Sequence, residues 1–521
     1  MTADRRERAT VDVAHESRLI RWTATDHDGA TVLSDPATVP AGEASSDPAH
    51  LTVGAGHPVR VAIICGADPG PERALRVALL AAGAQVVAVR STRDSASFTE
   101  VAEALRAGRP ELVIAHVADP RRDADGVETL VEALRYGCRE VRPGPRLLVA
   151  GDARATARLR AAAGSLAVEI LPDPRRPDGA SALVRRIRDL RRGTDPALVL
   201  RDEAIEEAAL LLTRRDGGPT LVVDAAGDST TVARATAAGE VTIAHLPGLG
   251  CGSGADGVVA RTGLDAVRRW IPWSVDAPTL LERVFNRARW PDAVAADRLG
   301  LILMLALAHE AIGHLLAEAD ALGVGATLRD ARTVVLTGIP AGLPRPAQGA
   351  LLAADVLALG AAASLYRDVD DALLAVGGLA ARMRSVGRGH PGRELAGAAA
   401  GATVPVAFLV PASPSRKGRL SVEGSGGRTE SALDRGALFA VAADGPVAVR
   451  LPGTTIPARG VAGPCGIVVD VRGRPLTLPP RDSDRVPTVA RWYAALDALG
   501  PDPSFDPAPD VAPHVEPEQV S

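Results

Sequence analysis

The chain has 521 residues, 46% of them hydrophobic, a formal net charge of −4 and a pI of about 6.2. That is material for two or three packed cores rather than one. The near-balanced charge leaves no electrostatic footprint for nucleic acid or an acidic membrane, and 2% aromatics disfavour a carbohydrate platform or a single-strand stacking surface.

Lys417 is the single lysine, and the basic residues are otherwise arginine. With abundant Ala, Gly and Pro this reads as a GC-rich coding bias. Cys65, Cys138, Cys251 and Cys465 lie far apart, with no CxxC or zinc spacing and no disulfide framework. The charged N-terminus lacks an apolar signal core. The best apolar run, Leu299–Ala308, is about half the length a bilayer span needs. The expectation is a soluble, cytoplasmic protein with no membrane span.

In chain order, residues 1–10 read as frayed, Val11–Ala14 and Leu19–Ala24 as strands, and Ser34–His57 as a Pro-, Ala- and Ser-rich loop. Val59–Arg192 has an α/β rhythm. Strands at Val59–Cys65, Val86–Val89, Leu112–His116, Arg146–Ala150 and Val168–Leu171 alternate with helical patterns, several closed by glycine as at Gly83, Gly108 and Gly137. A parallel sheet with helices on its faces is implied. Gly66–Gly70 reads as a plain βα turn.

Asp202–Thr213 is a helix. Leu221–Val223 is then a buried strand ending at Asp224, followed by small and hydroxyl residues and by strands Val232–Ala235 and Val241–Ala244. Beyond them come helices at Val258–Trp270, Ala277–Ala288 and Ala293–Leu322, the strand Arg332–Leu336, a helix at Gln348–Leu359, a strand at Ser364–Asp368 and a helix at Asp370–Met383. After Gly392 short strands with Gly/Pro turns suggest a small β-rich domain. Pro487–Leu499 reads as a last helix with Pro487 in its first turn, and Gly500–Ser521 as a disordered tail.

An Asp at a strand end, a small-residue turn and a second strand is how actin-like ATPases hold ATP phosphates, the Asp keeping a metal or a water. An ordinary hairpin with a polar turn is the competing reading. His309-Glu310-Ala-Ile-Gly-His314 is HExxxH, not HExxH. Its five-residue step turns about 140° around a helix, so the two rings do not share a face. Gly252-Ser-Gly254-Ala-Asp-Gly257 fits GxGxxG, but its strand belongs to a hairpin run and not to a βαβ unit.

The series PELVIAHVADP (110–120), RLLVAGDARATARLR (146–160), LVVDAAGDSTT, GLGCGSGA, DAVRRWIPW (265–273), RTVVLTGIPAGLPRPAQGALLAADVL (332–357), LLAVGGLA (373–380) and GIVVDVRGRPLTLP (466–479) resembles, in this order, the MutL/GlmL family. These are accessory proteins of cobalamin-dependent glutamate mutase. The resemblance implies an α/β, two-lobed actin-like fold of the acetate/sugar kinase, heat-shock chaperone and actin superfamily (ASKHA), with a small C-terminal β-rich domain. It implies a nucleotide-driven chaperone or reactivase for an adenosylcobalamin mutase. The expected division is 1–57 divergent strands and linker, 58–200 first α/β lobe, 201–386 second lobe, 387–499 β-rich domain and 500–521 tail.

The family's loops are altered here. The first, roughly D-x-G-S-T-T-T-K, reads Asp12-Val13-Ala14-His15-Glu16-Ser17-Arg18-Leu19. The second, roughly D-V-G-G-A-T-T-D, keeps Asp224, Gly227, Ser229 and Thr230 but has Ala226, Asp228 and Thr231. The adenosine loop, roughly G-S-G-G, reads Gly338-Ile339-Pro340-Ala341. Lost glycines and added carboxylates oppose backbone approach to phosphate. The nucleotide residues carried over are Asp12, Asp224, Gly227, Ser229, Thr230 and Gly338, with ATP and Mg as the ligand they once served. The expectation is a degenerate ATPase bound to a cobalamin mutase subunit. The alternatives are an active ATPase or small-molecule kinase, or a non-catalytic regulatory binding module.

Overall fold

The computed structural model describes residues 8–15, 18–27, 30–34, 36–40, 50–119, 121–151, 153–295, 297–387, 393–415 and 417–499. The tail Gly500–Ser521 and the start of the chain, 1–7, lie outside them.

Five strands open the chain: β1 Arg8–His15, β2 Arg18–His27, β3 Ala30–Leu33, β4 Ala37–Pro40 and β5 His50–Gly54. The next five, β6 Arg60–Cys65, β7 Gln85–Ser91, β8 Leu112–Val117, β9 Arg146–Gly151 and β10 Val168–Leu171, are each followed by a helix. They form one parallel sheet in the order β10-β9-β8-β6-β7. This is the doubly wound order 2-1-3-4-5. Its strands are apolar on both faces because helices cover both, as in β6, where five of six residues are buried.

The short β11 Leu198–Leu200 then returns to the first sheet. That sheet runs β11-β5-β1-β2-β3, with β4 also on β2. β1 and β2 are antiparallel, while β5 and β11 are parallel to β1 and to each other in turn. The second lobe repeats the scheme. β12 Thr220–Ala225, β13 Ser229–Ala235, β14 Val241–Pro247, β15 Thr333–Gly338 and β16 Ala363–Asp368 run β14-β13-β12-β15-β16, three antiparallel strands and then two parallel additions. Two sheets of order 3-2-1-4-5 in one chain make the two-lobed actin-like architecture. Helices Arg201–Asp216 and Ala372–Ser385 lie between them in a shared core with Val11, Val53, Val222 and Val335. The middle of the first of these helices, Ala208–Leu212, is buried at every position and apolar throughout.

The chain differs from its sequence reading at several elements. β5 lies within the stretch read as a loop, because HLTVG is short and bounded by small residues yet buries Leu51 and Val53 beside β1. Val59–Arg192 therefore forms a sheet of its own, inserted between β5 and β11, and does not supply the sheet that mirrors the second lobe. The helix read at Val258–Trp270 is two short ones, Ala255–Thr262 and Leu264–Arg268, broken at Gly263 with φ 88°. The final helix starts earlier, at Asp482, so Pro487 lies inside it.

The β-rich C-terminal part comprises β17 Thr403–Pro411, β18 Arg419–Gly424, β19 Gly427–Ala432, β20 Leu438–Val441, β21 Gly445–Arg450, β22 Ala458–Ala462 and β23 Ile467–Asp470. Four of these make a separate sheet, β19-β18-β21-β22. The others extend the second-lobe sheet as β16-β17-β23-β20. Helix Arg298–Ala321 is, by length and composition alone, apolar enough to cross a membrane. Here it is a core helix of the second lobe, with Ile302, Leu305, Ala306 and Ile312 fully buried.

Candidate functional site

Asp224, Gly227, Ser229, Thr230 and Gly338 come together at one end of the second-lobe sheet. β12 delivers Asp224, and β13 starts at Ser229 after a turn closed by Ala226 N–H donating to the Ser229 carbonyl at 2.9 Å. Gly338 ends β15 directly opposite Ala225. Its φ is 67°, and a Cβ there would stand 2.5 Å from Asp224 Oδ1, so glycine is required beside the carboxylate.

Asp224 is fully buried and is not free to hold a metal. Arg201 donates to it as a two-pronged fork, Nε to Oδ2 and Nη2 to Oδ1, both at 2.9 Å. Arg201 is itself buried, 3.6 Å from Asp371. Burial opposes the Arg201 charge, yet Asp224 outweighs it and holds the guanidinium above its ordinary range. Behind this pair, burial and then Asp371 push Asp368 well above the usual carboxylate range, while Asp368 accepts from Thr337 Oγ1 at 2.9 Å.

Asp12 sits on the other sheet in a cage of its own. It is paired across the ladder with Arg21, whose Nε and Nη2 donate to its two oxygens at 2.8 Å each. His50 of β5 stands 3.2 Å away. Glu16 and Ser17 of the corresponding loop lie outside the described residues.

Reading the family motif alone misses Arg201, Arg21 and His50. One signal for Arg201 is present in the sequence. It is the first residue of a helix, where the helix dipole disfavours a cation, so a buried Arg there needs a carboxylate partner.

The glycine-rich loop explains itself through this turn. The carbonyl of Ala226 accepts from Cys251 N–H at 2.8 Å, that of Gly227 from Gly252 (2.8 Å) and Gly254 (2.9 Å), and that of Asp228 from Gly248 (2.8 Å). Those N–H groups would otherwise be the ones to cradle a dinucleotide phosphate. Thr230 Oγ1 donates to the Leu249 carbonyl at 2.7 Å, and Ser229 Oγ to Asp228 at 2.9 Å. A Cβ on Gly250 would lie 2.4 Å from the Gly227 carbonyl oxygen, a backbone atom that cannot rotate away. Gly250→Ala should therefore destabilise the protein by about 1–3 kcal/mol, read as a lower urea midpoint at unchanged m-value.

Of the HExxxH residues, His309 and Glu310 are core groups, while His314 is half-buried near Glu318. His309 stacks on Trp270 at 4.2 Å, and its nitrogens face the Leu305 carbonyl and Asp355, each at 2.8 Å. Glu310 accepts from Arg269 and from Trp270 Nε1. Among the described residues no group of three His, Cys, Asp or Glu side chains converges on a metal position.

Beside the turn lies a cavity of about 270 Å³ where the inserted sheet meets both lobes. Asp228, Ser229, Ser253 and Asp256 line it. Its two carboxylates repel phosphate. Its wall includes Arg191, 1% exposed, which binds all three parts of the molecule. Arg191 donates to the carbonyl of Ala82 in the insert (2.9 Å) and to that of Ala55 after β5 (2.8 Å), and pairs with Asp202 (2.8 Å). It also lies 3.2 Å from His245 Nε2 of the second lobe, whose Nδ1 meets Thr231 Oγ1 at 2.7 Å. The residues at the turn thus do not fit Mg–ATP. The carboxylate is taken by a guanidinium, the turn carbonyls and hydroxyls are engaged internally, and the adjoining cavity carries negative charge.

No protein-family model matches the chain, and no curated protein does. Solved structures similar to parts of it include the Aquifex aeolicus PPX-GPPA enzyme, 12% identical over 64% of this chain and 68% of that one, at a TM-score of 0.19. Nucleotide-free acetone carboxylase is 10% identical over 72% and 70%, at 0.29. The PilM–PilN type IV pilus biogenesis complex is 15% identical over 71% and 90%, at 0.25. What assigns this protein to the two-lobed actin-like ATPase-fold class is its own duplicated strand order.

Proposed function

We propose that this protein is a non-hydrolysing member of the actin-like class that acts by binding a partner. The partner is an adenosylcobalamin-dependent mutase, served by an accessory protein of the glutamate-mutase MutL/GlmL type in the cytoplasm. The collinear motif series supports the choice of partner. The loss of hydrolysis is supported by a single observation, the Arg201 fork on fully buried Asp224. For Mg²⁺ to use Asp224, that pair must open, at about 3–5 kcal/mol. A penalty of that size weakens nucleotide binding by roughly two to three orders of magnitude or more.

Calorimetric titration of ATP with Mg²⁺ into wild type and Asp224→Ala is expected to show no binding by either at millimolar nucleotide. Binding by wild type that Asp224→Ala abolishes would overturn the reading in favour of an active ATPase or kinase. The partner is tested separately, by co-purification of the tagged full chain from its host. Recovery of a cobalamin mutase subunit is expected, and absence of every cobalamin enzyme of the host counts against it.

A further inference from the structure

At the opposite edge of the inserted sheet from its strand C-termini lies a cavity of about 680 Å³. The starts of β6, β8 and β9 form its floor. The C-terminal end of helix Phe98–Gly108 and the loop 141–144 form its sides. Arg60, Arg106, Arg109, Arg142 and Arg146 line it together with His57, against one carboxylate, Glu111.

That carboxylate is already engaged. His57 Nε2 stands 3.0 Å from one of its oxygens, and Arg60 Nε 3.5 Å from the other. Arg142 Nη1 is turned to the carbonyls of Arg139 (3.0 Å) and Val141 (3.2 Å). Among the described residues, Arg106, Arg109, Arg142 and Arg146 have no carboxylate partner.

Arg109 is held at φ 44°, a strained backbone for a residue with a Cβ, at the cap of the helix. A concave wall in which cations outnumber the one carboxylate focuses a positive field on whatever enters. Guanidinium forks recognise phosphate oxygens in pairs. The volume suits a small molecule. In a chain of net charge −4, five arginines and one carboxylate at this cavity gather positive charge in one place, against an acidic remainder.

We infer that this cavity is a binding site for a small polyanion bearing two or more linked phosphate groups. It is separate from the turn at Asp224 and does not depend on how that turn functions. A single phosphate can engage one or two of the arginines. Linked phosphates span the cavity and engage guanidiniums from both of its sides.

The test uses the full-length protein with sodium tripolyphosphate and, in parallel, orthophosphate, by calorimetry and thermal melting at low salt. Tripolyphosphate is expected to bind and raise Tm, at least tenfold more tightly than orthophosphate, with affinity falling as salt rises. Arg109→Ala/Arg146→Ala should lose at least tenfold in affinity with an unchanged melt in the absence of ligand. Glu111→Gln should bind more tightly than wild type, because it removes the one opposing carboxylate. Arg450→Ala, at the exposed end of β21, should bind as wild type does. No heat and no Tm shift at millimolar tripolyphosphate would overturn the inference. Binding unaffected by Arg109→Ala/Arg146→Ala, or reduced equally by Arg450→Ala, would do the same by showing nonspecific attraction.

Discussion

Replacing Arg201 by Met should lower the unfolding free energy by about 3–5 kcal/mol, measured by urea denaturation at pH 7. The substitution keeps the hydrophobic stem and removes the charge. Asp224 is then left fully buried with its fork gone, and Asp371, 3.6 Å from the same guanidinium, loses a neighbouring cation. Asp368 is already pushed up by burial and Asp371, so a third carboxylate is nearby. The double variant Arg201→Met/Asp224→Ala should recover much of the loss, since no unpaired charge remains at the pair. A single-variant cost below about 1 kcal/mol would show that Asp224 is satisfied by other means, and the Arg201 fork would no longer support the proposed loss of nucleotide binding.

The second large effect is expected at Arg191, where Met should again cost about 3–5 kcal/mol and should also split the unfolding transition. Arg191 holds backbone carbonyls of Ala82 and Ala55, pairs with buried Asp202 and sits beside His245, so one side chain couples the inserted sheet to both lobes. Without it, the insert should unfold separately, seen as two urea transitions where wild type shows one. A single transition with an unchanged midpoint would refute the coupling.

The same junction sets an acid limb. Burial, and after it the Arg191 charge, pushes the His245 ring down to about 3. Burial alone would raise Asp202, but Arg191, His245 and Arg188 outweigh it and bring it to about 2. The unfolded His binds a proton near 6.5, whereas the folded one does not until about 3. Its contribution is therefore complete above 6.5 and is lost as pH falls through this window, at up to about 1.4 kcal/mol per pH unit. Glu207 acts in the opposite sense. Burial raises it to about 7, against Arg384, so its contribution is lost as pH rises from 4.5 through 7. His245→Gln compared with wild type isolates the histidine limb, and should flatten it below pH 4.5 most visibly.

Much of the fold was legible. The inserted sheet's strands read as apolar runs, and Gly83 marked a helix end by the left-handed backbone it in fact adopts, with φ 67°. The turn after Asp224 was also legible, because a buried strand ending in an acid and small residues is a local pattern. The partners of Asp224 and Asp12 were not. Arg201 lies 23 residues before its Asp, and its place at a helix start signals that it needs an anion without saying which one. The Asp12–Arg21 pair depends on the hairpin register, Asp12 opposite Arg21, which the sequence leaves open until the turn is placed. β5 and β11 were missed because three to five residues carry little periodicity, and they become strands only by pairing with β1 and with each other.

By itself, then, the sequence determined the alternation of elements, the buried strand ending at Asp224 and the turn of small and hydroxyl residues after it. These follow from local periodicity and from which residues tolerate a tight turn. Tertiary structure alone decided that the two lobes share one strand order, that the α/β stretch is an insertion, and that Arg201 and Arg21 fill the positions beside the two acids. It also decided that Arg191 joins three parts of the chain. The reason is that desolvated charges are paired by proximity in space, here over sequence separations of 9 to 23 residues, and no local signal specifies which partner a buried arginine will find.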